Sequence, residues 1–250
     1  MPLTAFKAVN MVRQVLSHNT PRWLLVFEIT STVIMVALAG AIVWQGRRLL
    51  YNTSRVGPPP PVQSVPWHPV AIGTDNVRGA RSAHVAIIEY ADFGCSSCAE
   101  FAANVEPSLL REYVDTGRVL FAFKHFPLAI HPDARTAARA AACAAKQGKF
   151  WQAHDRFYEV LKQSHKLALQ DVAHDVGLDL SLYNTCLTGT EAEQQVQTDR
   201  AQGEALNVWG TPTFFVGTLT AEGRVDVTDA ILGSRSLQEF REILDRLLEK

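Results

Sequence analysis

Cysteine is scarce, with four residues in a chain of 250. That is too few for a small disulfide-stapled scaffold, so the core must come from apolar burial. A large charge of either sign is also missing. The formal net charge of −1 gives no electrostatic case for nucleic-acid binding. Low-complexity composition and internal repeats are absent, and 47% hydrophobic with 20% charged residues is the make-up of a folded protein. The near-zero charge is nevertheless a sum of unlike parts. Residues 1–80 carry seven Lys/Arg and two Asp/Glu, a balance of +5, and residues 81–250 carry 17 and 23, a balance of −6.

The basic front contains one long apolar run. Trp23 to Trp44 reads WLLVFEITSTVIMVALAGAIVW, with Arg22 before it and Arg47-Arg48 after it. A helix of this length matches the ~30 Å hydrocarbon core, and the two tryptophans are spaced to sit at its interfaces. Glu28 is the one acidic residue within it, about a turn and a half from one end. Ala37-Leu38-Ala39 resembles a signal-peptide cleavage site, but the apolar run continues to Trp44 and is longer than a leader core, which favours an uncleaved anchor over residues 23–45. Lys7, Arg13 and Arg22 on one side balance Arg47, Arg48 and Arg55 on the other, so charge alone does not orient it. Half of the prolines then fall in residues 58–69, so residues 46–69 read as an extended spacer.

Beyond the spacer, strand and helix patterns alternate. Val85–Tyr90 reads as a buried strand and Val119–Phe126 as a second. Between them runs a helical pattern of Phe101, Val105, Leu109 and Tyr113 that Pro107 should interrupt. An alanine-rich helix is expected over Asp133–Gln147, with further helices at about Leu169–Val176 and Leu182–Gln202. Val208–Gly217 and Thr218–Val227 read as a strand pair. The last helix opens on a Ser236/Glu239 capping box, with Leu237, Phe240, Ile243, Leu244, Leu247 and Leu248 on one face. This order describes an α/β domain with an inserted helical subdomain, at about residues 132–203.

The chemistry centres on Cys95-Ser96-Ser97-Cys98, at the junction of a strand and a helix. Two intervening residues place both sulfurs on a first helical turn, close enough to be bridged. The unpaired N–H groups there stabilise a thiolate. Cys95 is therefore the expected nucleophile and Cys98 the resolving thiol. A zinc site would need two further ligands at suitable spacing. Cys143 and Cys186 lie 43 positions apart, and the strand–CxxC–helix setting favours redox chemistry.

The sequence resembles the DsbA-like branch of the thioredoxin superfamily over about residues 70–250. The resemblance rests on Glu89-Tyr90-Ala91-Asp92-Phe93-Gly94-Cys95-Ser96-Ser97-Cys98, Phe126-Pro127-Leu128 with His131-Pro132, Gly148-Lys149-Phe150-Trp151 with His154-Asp155, and Gly210-Thr211-Pro212-Thr213-Phe214. It implies a thioredoxin fold with a helical insert, a cis Pro212 packed against the cysteine pair, and a Thr211 backbone that takes an extended substrate strand. It also implies that Glu89 is a buried acid exchanging protons with Cys98, and that Cys143 and Cys186 form a structural disulfide. Asp92 is read as a loop residue. The implied activity is thiol–disulfide exchange on cysteine-containing proteins, with no metal or organic cofactor and no nucleic acid. The implied location is the bacterial inner membrane, with residues 1–22 cytoplasmic and the domain outside, where a membrane redox partner could recycle it. Ser96-Ser97 is neither Pro-His nor Gly-Pro, which leaves the redox poise open; disulfide formation is the expected direction, with a reductase or isomerase, or a tethered chaperone or binding module without turnover, as the alternatives.

Overall fold

The computed structural model describes residues 34–41, 44–45, 69–73, 76–164 and 168–249. The chain divides into two units, Met1–Pro60 and Pro61–Lys250. In the first, residues 34–41 are helical, with Ile34, Met35, Val36 and Leu38 exposed. Among the described residues no helix is long and apolar enough to cross a membrane. Most of the span expected at 23–45, and nearly all of the spacer at 46–69, lie outside the described residues.

The second unit is built on a six-stranded mixed sheet. Its strands are β1 (Val70–Ala71), β2 (Val77–Arg78), β3 (Val85–Ala91), β4 (Val119–His125), β5 (Thr213–Leu219) and β6 (Arg224–Leu232). They lie in the order β1-β6-β5-β3-β4-β2, with β3 and β4 parallel and the other pairs antiparallel. The continuous apolar reading of β3 follows from its central position: every one of its residues is buried, because both faces of the sheet are covered. Alternation sends Val85 and Ile87 to one face, under Phe101 and Leu109, and Ala86, Ile88 and Tyr90 to the other. Glu89 shares the parity of Val85 and Ile87, so a carboxylate lies on an otherwise apolar face.

The β3–β4 crossover carries α1 (Ser96–Asn104), a single turn α2 (Glu106–Leu109) and one π-helical turn at Leu110–Val114. Pro107 stands in the first turn of α2, where its missing N–H is not needed, and the chain breaks just before it at Val105. The helical insert between β4 and β5 comprises α3 (Ala134–Ala145), α4 (Phe150–Ser164), α5 (Leu169–Asp175), α6 (Leu180–Thr188) and α7 (Glu191–Ala205). The single helix expected at Leu182–Gln202 is thus two. The Asp179 carboxylate caps the start of α6, accepting from the Ser181 and Leu182 N–H groups, and an extended Gly189 ends it. The hairpin also lies later than its sequence pattern suggests. Residues 208–212 are not strand, and the turn falls at Thr220–Gly223, where Gly223 takes a positive φ. The closing helix α8 (Leu237–Leu248) has its capping box formed in both directions between Ser236 and Glu239.

Candidate active site

Cys95 and Cys98 lie at the C-terminal end of β3, in an apolar cluster that joins the sheet to the insert through Phe93, Phe123, Phe150 and Tyr158. Cys95 is the extended N-cap residue of α1 and Cys98 lies within its first turn. The two thiols are unbridged. Their acidities diverge. The Cys95 thiol is lowered to about 5, first by a hydrogen bond from Cys98; burial opposes this, and the Thr211 side chain and the Cys98 and Ser97 N–H groups add to it. Burial, then the Cys95 and Glu89 charges, push the Cys98 thiol up. The pair therefore sets an acidic Cys95 thiol beside a fully buried Cys98 thiol of weakened acidity.

The loop before β5 closes over the sulfur. The Thr211–Pro212 peptide is cis. The Cys95 Sγ lies 3.3 Å from the Thr211 carbonyl oxygen, to which the neutral thiol donates. The buried Thr211 hydroxyl has no partner among the described residues. Two large apolar side chains are open to solvent on loops, Trp209 (76% exposed) just before Gly210-Thr211-Pro212 and Ile130 (78%) between Pro127 and His131.

Glu89 is 1% exposed, its Oε2 without a hydrogen-bond partner among the described residues. Burial, then the charges of Glu106 and Cys95, raise its carboxyl well above the ordinary range. Asp92 is a loop residue, but it is buried and it organises its surroundings. Its Oδ1 accepts from Gly94 N at 2.7 Å, and its Oδ2 accepts from Leu128 N at 2.8 Å and contacts His131 Nδ1 at 2.7 Å. Gly94 is needed here, because a Cβ would lie 2.7 Å from the Cβ of His131. The turn that presents Cys95 is thereby fixed to the Pro127–His131 loop.

Three groups near the cysteines are not among the site residues expected from the sequence. The Tyr158 hydroxyl lies 3.4 Å from the Asp92 carbonyl, and burial, then Cys98 and Glu89, push its acidity weaker. Glu106, 2% exposed at the start of α2, stands between an apolar residue and a proline, where no periodicity marks it. His154 could have been found, because Phe150, Ala153, Phe157, Tyr158 and Leu161 form the buried stripe of α4 and His154 stands within it.

Cys143 on α3 and Cys186 on α6 are bonded to each other, so neither completes a ligand set with Cys95 and Cys98. Among the described residues no group of His, Cys, Asp or Glu is placed to hold a metal ion. The bridge ties two helices of the insert across 43 positions. Replacing both cysteines with alanine should cost ~2–4 kcal/mol, read as a lower urea midpoint for the double variant than for the parent.

A CxxC at the N-terminus of a helix after the central strand, facing a cis-proline loop, defines a thioredoxin-fold dithiol protein. The family model described as Thioredoxin matches residues 71–232, and the chain belongs to that family. Among solved structures it is similar to alpha-DsbA1 of Wolbachia pipientis, with 24% identity, a TM-score of 0.64, and coverage of 72% of this chain and 94% of that one. It is also similar to oxidised BdbD of Bacillus subtilis, with 22% identity, a TM-score of 0.60, and coverage of 72% and 100%. These likenesses show the fold with its helical insert. Among curated proteins it is 36% identical over 149 residues to Na(+)/H(+) antiporter NhaA 3 of Salinispora tropica, covering 59% of this chain but 22% of that protein. The Na(+)/H(+) antiporter NhaA of Herminiimonas arsenicoxydans is 30% identical over 178 residues, covering 70% and 28%. The chain thus spans less than a third of the length of these two relatives.

Proposed function

We propose that the protein is a thiol–disulfide oxidoreductase that introduces disulfides into cysteine-containing proteins outside the cytoplasm. The observation that carries this reading is the split between a Cys95 thiol lowered to about 5 and a Cys98 thiol raised by burial. A stabilised Cys95 thiolate favours the reduced form of the pair, so the oxidised form gives up its disulfide readily. The same logic makes the DsbA prototype, with a thiol near pKa ~3.5, a stronger oxidant than thioredoxin near ~7. Substrate thiolate attacks the Cys95 sulfur of the oxidised pair and Cys98 leaves. A second substrate thiolate then attacks the mixed disulfide, releasing Cys95 as thiolate. Glu89 exchanges protons with Cys98. The Thr211-Pro212 backbone takes an extended segment of the substrate, with Trp209 and Ile130 as apolar contacts beside it.

The expected anchor over residues 23–45 belongs to the same proposal. It is supported by the apolar run itself and by the exposed Ile34, Met35, Val36 and Leu38, which water does not favour. Residues 1–22 would then be cytoplasmic and residues 46–69 a spacer on the periplasmic side of the inner membrane. A membrane redox partner would then recycle the dithiol. Ion exchange is not carried over from the antiporter relatives, because the chain spans so little of them.

The test is the Cys95–Cys98 reduction potential, together with the rate of oxidative refolding of a reduced substrate. An oxidant gives a potential well above the ~−270 mV of thioredoxin, towards the ~−120 mV of DsbA. A value at the thioredoxin end would reverse the assigned direction. In the same preparation, the rate of Cys95 alkylation should titrate with a midpoint at about 5. A midpoint near the free-thiol value of ~8.5 would remove the basis of the oxidase reading.

A further inference from the structure

Glu106, His154 and Asp155 form a second set of titratable groups behind the dithiol, and the preceding mechanism does not use them. Glu106 Oε2 lies 3.9 Å from His154 Nε2, while His154 Nδ1 lies 2.8 Å from Asp155 Oδ1. His154 is fully buried and its Nε2 has no hydrogen-bond partner among the described residues; the same holds for Oε2 of Glu89. Glu106 thus faces one of these orphaned atoms, His154 Nε2, and its charge acts on the carboxyl that carries the other, Glu89. The Asp155 side chain is 61% exposed. A pocket of about 410 Å³, lined by Ala99, Glu106, Asp155 and Tyr158 among others, opens this side of α1 towards solvent. Arg78 closes the set, 3.5 Å from Glu106 Oε1 and 3.3 Å from Asp155 Oδ2.

We propose that Glu106 and His154 are relay residues that carry the Cys98 proton from Glu89 to solvent at Asp155. The proposal rests on the dithiol reading above. When Cys98 closes the pair, its sulfur attacks Cys95 in a mixed disulfide, the Cys95–S–S–substrate bond breaks, and substrate leaves as a thiolate. The Cys98 proton passes to the Glu89 carboxylate, and from there to Glu106. Glu106 delivers a proton to His154 Nε2 as the ring gives its Nδ1 proton to Asp155, and solvent takes it from there. Running the sequence backwards protonates Cys98 when the pair is reduced. The charged groups that act on this set are Glu89 on β3, Arg78 on β2, His154 and Asp155 on α4, and Cys95, while Cys98 and Glu89 act on the Tyr158 hydroxyl. Burial raises the Glu106 carboxyl, with His154 and Arg78 opposing, and Glu106→Gln keeps the shape of the side chain while removing its exchangeable proton.

The experiment uses the reduced full-length chain and the aryl disulfide 5,5′-dithiobis(2-nitrobenzoate). Attack by Cys95 releases a first coloured thiolate, and closure by Cys98 releases a second. Glu106→Gln should slow the second release about tenfold or more near neutral pH, leave the first within about twofold, and make the second rise steeply with pH as hydroxide takes over. Glu106→Asp should recover part of the rate. A second release with the parental rate and pH profile in Glu106→Gln overturns the relay. If that variant does not fold, Asp155→Asn decides, because the residue is exposed: a slowed second release upholds the relay, and an unchanged one overturns it. A parent chain that releases no second thiolate removes the dithiol reading itself, whatever the variants do.

Discussion

A Cys98→Ala chain mixed with a disulfide-bonded peptide should accumulate a covalent adduct through Cys95, while a Cys95→Ser chain should form none and lose at least ~10³-fold in exchange rate. The asymmetry follows from depth. Cys95 caps α1 beside the Thr211 carbonyl, and Cys98 is wholly buried one turn further in. A peptide disulfide reaches the first sulfur and not the second. Attack by the Cys95 thiolate releases one peptide sulfur and leaves the other bonded to Cys95; with Cys98 absent, nothing inside the protein reopens that bond. The same variant carries a second signature. The Cys98 hydrogen bond is the largest contribution holding the Cys95 thiol down at about 5, and burial acts in the opposite direction. Cys98→Ala should therefore move the Cys95 titration upward, towards the ordinary thiol range. Mass spectrometry of the adduct and a pH series of alkylation rates check both. A Cys95→Ser chain that keeps its full effect on substrate folding would instead mark a binding module.

The sheet's central strands and the dithiol were legible because each has a local signature. Val85–Tyr90 is an unbroken apolar run since it is covered on both faces, and Cys95-Ser96-Ser97-Cys98 needs only its own spacing and the strand before it. The edges were not legible. β1 and β2 have two residues each, too short to show alternation, and they exist because β6 and β4 offer open backbone groups. The hairpin shifted for a similar reason: Thr218 and Leu219 pair with Asp226 and Val225 through the register of β5, and nothing in their own composition marks the turn beyond them. At the site, Glu89 was visible as a charge inside an apolar strand. Glu106 was not, because its burial depends on α4 folding back across the crossover. Its partners Arg78 and His154 are 28 and 48 positions away.

The other buried charge pair allows the largest stability prediction. Lys124 Nζ and Asp199 Oδ1 are 3.1 Å apart, with side chains 8% and 1% exposed. Asp199 also accepts from the His125 N–H at 3.2 Å and the Gln195 amide at 3.1 Å. The pair thus fixes the middle of α7 to the end of β4. Asp199→Ala leaves an ammonium in the interior without its counter-ion and should cost ~3–5 kcal/mol. For a domain of this size that is a fall of roughly 6–20 °C in Tm. A Lys124→Met/Asp199→Leu double variant should recover most of the loss, because the expensive state is the unpaired charge rather than the absent pair. Acid should widen the gap. Burial lowers the His125 imidazole to about 4, with Asp199 opposing and Lys124 reinforcing the shift. Below its unfolded value of ~6.5 the unfolded chain takes up a proton that the folded chain refuses, so stability falls as pH drops from about 6.5 to 4. Removing Asp199 takes away the group that favours the charged imidazole and leaves the one that opposes it. The loss from Asp199→Ala, measured by urea unfolding, should therefore be larger at pH ~4.5 than at pH ~7, provided Lys124 is kept.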